Sequence, residues 1–319
     1  MVSEGLWSIG ELARRAGVGV KTVRYYSDRG LLPEAGRSSG GHRRYGAGAL
    51  DRLLLIRSLR GLGLPVPEVE RVLAAGGDPD GALEEAVSGQ LREVECRLVA
   101  LRWREASLRL LHDGPPGERV ERLRLVGTLP APPDTEPLAR FWRRSLPVRL
   151  PARVVSAVLD SVVPPLPAEP SPRQVLDFAR LHALVSDPRV ERPAPPLPDG
   201  EYRPAVLYEG LAEAYALASA ELAAGRAPHG GGALDCFVDA YARARGTADS
   251  AAFRRGLPQL LARGEGPVMT RYWKLAAGLF APGEPVLGAL HHHLSVALRV
   301  EAGAGGGTRA GSGSGAGTG

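Results

Sequence analysis

WSIGELARRAGVGVKTVRYYSDRGLLPEAGRSSGGHRRY, residues 7–45, decides the reading of this 319-residue chain. Ser8 precedes a short apolar run and Glu11 stands three residues on, the spacing of a reciprocal helix N-cap. Ile9, Leu12 and Ala16 recur at three- and four-residue intervals, which predicts a helix over 9–16 with one packed face. Gly17-Val18-Gly19 supplies a tight turn, where a residue without Cβ takes positive φ. A second helix over 20–28 carries Lys21, Thr22, Arg24, Tyr25 and Tyr26. That polar, basic set suits a helix lying in a major groove, where side chains reach base edges and phosphates.

The next stretch is basic and rich in glycine. Arg37, His42, Arg43 and Arg44 lie among glycines 36, 40, 41, 46 and 48, with Tyr45 closing the segment. This composition suits a short hairpin, or wing, that follows a phosphate backbone, with Ser38, Ser39 and Tyr45 adding hydroxyls. A solvated basic loop is the plainer account of the same residues. Charge distribution favours the wing. Residues 1–61 hold 11 Lys and Arg against 5 acids, whereas residues 62–319 hold 29 against 30. The whole positive excess therefore sits beside the helix-turn-helix, as a double-stranded DNA partner requires. The candidate DNA-binding residues are Ser8, Lys21, Thr22, Arg24, Tyr25, Tyr26, Arg37, His42, Arg43, Arg44 and Tyr45.

Residues 47–62 form an amphipathic third helix and 67–75 a short fourth, both scaffold. Val87, Leu91, Val94, Leu98, Leu101 and Leu108 then fall at alternating spacings of four and three, with Glu105 as a polar interruption. This is a heptad seam on a helix over 82–112, about 46 Å long. Two partners remain open for it: the same helix of a second copy, or the C-terminal region of the same chain.

GELARRAGVGVKTVRYYSDRGLL, followed by Pro33 and a wing ending GGHRRY, resembles the N-terminal domain of the MerR family of bacterial transcription regulators. The resemblance covers about residues 7–112. One departure is Ser27, where the family usually has an acid directly after the paired tyrosines; here Asp28 follows one place later. The resemblance implies an antiparallel homodimer that sets two DNA domains on two half-sites of promoter DNA. It also implies that the spacer between promoter elements is twisted so that RNA polymerase engages both. Members that sense metals use cysteines near both ends of the dimerisation helix. Here AAGGDPDGALEE and LHDGPPGE contain none, and the chain's two cysteines, Cys96 and Cys236, are isolated. Two lone thiols cannot build a tetrahedral site. His291-His292-His293 cannot converge on one ion either, because successive helical residues diverge by about 100°.

Beyond Gly114-Pro115-Pro116-Gly117 the chain is rich in Ala, Leu, Pro and Arg. Pro-rich stretches at 129–137, 164–172 and 193–198 separate helical segments at about 137–145, 150–162 and 172–186. Further helices follow at about 204–225, 232–245, 248–263, 267–280 and 284–300. TRYWKLAAGLF, within 268–299, is similar to the terminal part of actinobacterial MerR-like proteins with long helical C-terminal domains. Tyr208, Tyr215, Phe237, Tyr241, Tyr272 and Trp273 are candidate residues for a pocket holding a small-molecule effector. Core packing is their plainer role.

The fold class expected is mainly α. It comprises an N-terminal winged helix-turn-helix with a small β-wing (1–80), a long coiled-coil dimerisation helix (81–113) and an all-helical C-terminal domain (114–302). A Gly-rich tail (303–319), with little to bury, is expected to be disordered. No nucleophile elbow, phosphate loop or carboxylate pair is visible, so no catalytic residue, metal or cofactor is expected. A DNA-binding protein whose C-terminal domain is a protein-interaction module or an enzyme is the alternative to a ligand sensor. The N-terminal MVSEGLW lacks a basic–apolar leader and no apolar run reaches a membrane span, so no membrane partner is expected. With only two cysteines, the expected location is cytoplasmic and nucleoid-associated.

Overall fold

The computed structural model describes residues 5–76, 78–190, 202–262 and 266–304. The chain divides into two compact units, Met1–Leu98 and Val99–Gly319. In the first, β1 (Trp7–Ser8) leads into α1 (Ile9–Ala16) and α2 (Val20–Asp28), followed by β2 (Gly36–Arg37), β3 (Arg43–Tyr45), α3 (Ala47–Gly61) and α4 (Val66–Ala74). Helix α5 (Pro79–His112) begins in this unit and continues into the second. Its 34 residues exceed the stretch expected from the heptads alone, because proline is tolerated in a first turn.

The sheet is antiparallel, ordered β1-β3-β2, with Trp7 opposite Tyr45 and Arg37 opposite Arg43. Strand β1 was not foreseen, since two residues are too few to show alternation. Gly17 ends α1 at φ 64°, a left-handed conformation that disfavours any side chain. Next to it, Arg57 Nη1 donates to the Ala16 carbonyl at 2.8 Å, which ties the helix-turn-helix to α3. Leu12, Val23, Leu32, Leu53, Ile56 and Val69 are fully buried behind this layer. Each apolar side chain of this kind contributes about 1.5–3 kcal/mol on burial.

The second unit contains the end of α5, then α6 (Arg119–Val126), α7 (Glu136–Arg143), α8 (Ala152–Val162) and α9 (Pro172–Ser186). Helices α10 (Pro204–Ala223), α11 (Gly232–Ala244), α12 (Ala251–Leu261), α13 (Pro267–Ala276) and α14 (Leu287–Ala304) complete it. Helix α6 was not foreseen, because RVERLRLV carries charge through its length and no side-chain cap. Two cores form. One joins α10, α11, α12 and α14 through Leu211, Phe237, Tyr241 and Leu294. The other gathers Trp103, Leu138, Phe178 and Tyr272 from α5, α7, α9 and α13. Helices α10 and α11 approach so closely that a Cβ on Gly210 would stand 2.7 Å from that of Ala240.

Two sequence expectations change here. The aromatic residues proposed as one pocket are split between the two cores: Tyr215, Phe237 and Tyr241 belong to the first, Tyr272 and Trp273 to the second. Phe237, Tyr241 and Tyr272 are completely buried and pack on neighbours, and Tyr208 is half-buried. Helix α14 runs through Gly303 and Ala304, into the expected tail. The tail residues 305–319, and the Pro-rich stretch 193–198, lie outside the described residues. The histidine triplet disperses as helix geometry requires: His291 meets the Tyr215 hydroxyl at 2.9 Å, while His293 faces Glu221 at 3.7 Å. Among the described residues no helix is long and apolar enough to cross a membrane, and no group of three or more His, Cys, Asp or Glu is placed to hold a metal.

Candidate DNA interface

The α1 start, α2 and the wing enclose a cleft of about 470 Å³. Ser8, Ile9 and Gly10 form one wall, Arg24 and Asp28 come from α2, and Arg37, Gly41, His42, Arg43 and Arg44 come from the wing. Local chemistry positions each wall. The Glu11 backbone N–H donates to Ser8 Oγ at 3.3 Å, and the Ser8 N–H donates to Glu11 Oε2 at 2.7 Å, so the expected cap is reciprocal. The backbone N–H of Ser8, then its hydroxyl, hold the Glu11 carboxyl below its ordinary range, and the charge of Arg44 adds to this.

The wing is a hairpin whose turn needs Gly41, at φ 75°. Ser38 N–H donates to the His42 carbonyl and Gly41 N–H to that of Ser38, both at 2.8 Å. Arg43 Nη1 is pinned by Asp28 at 2.5 Å and its Nε lies 3.5 Å from Glu34, which also holds Arg37 at 3.0 Å. The pairing with Asp28 raises the Arg43 pKa, so this guanidinium is cationic at every working pH. These acids fix the wing against α2. By contrast Lys21, Arg24 and Arg44 form no ion pair among the described residues, and Lys21 and Arg24 are exposed. Thr22 is half-buried beside them.

The tyrosines divide. Tyr25 is 44% exposed, and the Arg29 guanidinium stacks 5.0 Å from its ring centre. Tyr26 and Tyr45 are corrections: both are buried in the core of the first unit. The Tyr45 ring is closed off entirely, and its hydroxyl donates to Ser27 Oγ at 3.0 Å. Ser27, the position that departs from the usual pattern, thus supplies the acceptor that seats β3 on α2. Sequence reading also missed Asp28 and Glu34 as the acids that brace the wing; their alternation with Arg37 and Arg43 in charge was the available signal.

On α5, the seam residues Val87, Leu91, Val94, Leu98, Leu101 and Leu108 are all exposed, from 39% at Val94 to 62% at Leu108. Glu105 is occupied by Arg109 at 2.6 Å. A different stripe, Trp103, Ala106 and Leu110, is buried in the second unit, with the Trp103 indole N–H donating to the Pro167 carbonyl at 3.1 Å. The division at Leu98 and Val99 therefore falls inside the long helix, not at its ends.

A basic cleft bounded by a recognition helix and a wing defines a winged helix-turn-helix protein. Residues 7–76 match the MerR HTH family of regulatory proteins. The HTH-type transcriptional regulator ZntR of Escherichia coli K12 is 34% identical over 112 residues, covering 34% of this chain and 79% of ZntR. The nodulation protein NolA of Bradyrhizobium sp. (strain NC92) is 33% identical over 118 residues, covering 37% of this chain and 48% of NolA. The HTH-type transcriptional activator TipA of Streptomyces coelicolor is 48% identical over 67 residues, covering 21% of this chain and 26% of TipA. The match thus spans about half the length of NolA and a quarter of TipA. The chain belongs to the MerR family, and its N-terminal domain is the DNA-binding, transcription-regulating domain of that family.

Proposed function

We propose that the chain acts as a homodimeric regulator that grips and distorts promoter DNA under control of a small-molecule effector. The observation that carries this reading is a set of cations that form no ion pair among the described residues: Arg24 and Arg44 at the cleft, and the exposed Lys21 on the same helix as Arg24, set against the braced Arg37 and Arg43. Arg24 reads base edges from α2, with Lys21, Thr22 and the exposed Tyr25 on bases or nearby phosphates. Arg44 and His42 take the backbone beside the wing, and the capped start of α1, with Ser8, offers its N-terminal dipole to a phosphate. Tyr26 and Tyr45 act only by holding this surface.

One winged domain buries little surface, so tight specific binding asks for two. The exposed apolar seam of α5 supplies the dimer contact, in an antiparallel coiled coil that sets two domains on two half-sites. Bending or twisting of the spacer between promoter elements then lets RNA polymerase engage both. An effector shifts this equilibrium only through different affinity for the two states. Footprinting the full chain on its own upstream DNA, at fixed salt, tests the reading. Symmetric protection with a hypersensitive centre is expected. One-sided protection of a single half-site by a confirmed dimer would contradict it.

A further inference from the structure

A second concentration of uncompensated positive charge lies in the other unit. Arg173, Asp177 and Arg180 fall on one face of α9, at intervals of four and three. Arg271 and Lys274 face the same groove from α13, and Glu121 of α6 closes its third side. The cavity is about 420 Å³, the size that small-molecule sites take. Its four cations outnumber its two acids, so half of this charge is left unanswered. Asp177 is only 9% exposed and lies 3.5 Å from Arg173 Nε. Arg180, Arg271 and Lys274 form no ion pair among the described residues. Elsewhere in the unit Arg102, Arg122, Arg143, Arg153 and Arg254 each meet a carboxylate within 3 Å. Lys274 is moreover one of two lysines in the chain, and the other, Lys21, lies on the recognition helix.

We propose that this groove binds a small polyanion, a molecule bearing at least two phosphate or carboxylate groups. Like charges collected in a concave site repel one another and focus a positive potential, and an anionic ligand relieves both. The guanidiniums of Arg180 and Arg271 match the planar oxygens of phosphate or carboxylate, and Lys274 adds a point charge. Asp177, almost buried, orients Arg173 and leaves the other three cations for the ligand. The binding site stands on the groove itself; only its use as the effector site rests on the regulatory reading above, so anion binding and DNA affinity are measured separately.

The test is calorimetric titration of the full chain with sodium pyrophosphate, and in parallel with citrate, at one low salt concentration. Saturable binding of one anion per chain is expected, with pyrophosphate alone pointing to a phosphate ligand and citrate alone to a carboxylate one. Arg180→Gln with Arg271→Gln should weaken binding at least tenfold while leaving the melting temperature and the DNA affinity unchanged. Lys274→Gln, at an exposed position, provides a milder variant should the double one fold poorly, with a several-fold loss expected. Arg24→Gln, in the DNA cleft, should leave the titration intact. Absence of saturable binding, binding abolished by Arg24→Gln but not by the groove variants, or groove variants that lose only DNA affinity would each overturn the proposal.

Discussion

Both units pair some of their arginines with acids and leave others without one, but the acids serve different ends. In the second unit most arginines that meet an acid do so one to one, as Arg153 meets Glu209 or Arg122 meets Glu118, and the molecule gains little beyond solubility. Arg254 is the extreme, held by Asp235, Asp249 and Glu301 together, which raises its pKa and staples α12 to α11 and α14. In the first unit acids are used selectively. Asp28 and Glu34 brace the wing, while Lys21, Arg24 and Arg44 form no ion pair among the described residues. The lesson is that a cation without an internal partner, on a concave and rigid surface, marks a site better than total charge does. The α9–α13 groove is a place where the second unit resembles the first.

That contrast can be broken at several points, the largest expected effect first. Phe237→Ala should destabilise the second unit by about 3–5 kcal/mol, because a fully buried ring leaves a cavity. Chemical unfolding should show the loss in that unit, and a loss under 1 kcal/mol would mean that Phe237 borders open space after all. Arg24→Ala should reduce affinity for specific DNA by about 5- to 150-fold, from the ~1–3 kcal/mol of one base contact. Non-specific duplex should lose far less in the same anisotropy titration. Equal losses on both would reassign Arg24 to phosphate. For the dimer, Val87→Cys with Leu108→Cys, in a Cys96→Ser background, should cross-link 87 to 108 between copies on mild oxidation. Cross-links of 87 to 87 would point to a parallel pair instead.

Smaller effects test the scaffold. Arg57→Met removes the donor to the Ala16 carbonyl and should cost about 1–3 kcal/mol, the price of an orphaned charged hydrogen bond at the end of α1. The cap at Ser8 has a pH signature. The Glu11 carboxyl is held below its ordinary value in the folded state, so its contribution is complete above the unfolded carboxylate range and fades as pH falls through its folded value. Thermal melts should therefore show wild type approaching Glu11→Gln in stability as acid is added. A gap that widens in acid would contradict the cap.

Much of the first unit was legible because its signals are local. The boundaries of α1 and α2 follow from Ser8, Glu11, Gly17 and the three-four periodicity, and the structure places them at Ile9–Ala16 and Val20–Asp28 as read. Tyr45 was misjudged because a tyrosine among arginines looks like a surface residue, and only the pairing of β3 with β1 turns it inward. On α5 the heptad seam concealed a second stripe. Trp103, Ala106 and Leu110 are also spaced by three and four, but nothing local tells which stripe meets the same chain. The aromatic residues of the second unit divide between two cores for the same reason, since membership of one core or another depends on how distant helices meet. The α9–α13 groove was invisible for that reason too: Arg180 and Lys274 are 94 residues apart.

The central claim is that two copies joined through the α5 seam present two recognition helices to one DNA. Selecting binding sequences from a random duplex library with wild type and with Leu98→Asp tests it most directly. Wild type should enrich an inverted repeat, and the Leu98→Asp chain, monomeric by sedimentation, should enrich one half-site bound more weakly. A single half-site enriched by wild type, or the full repeat still enriched by a monomeric variant, would contradict the account.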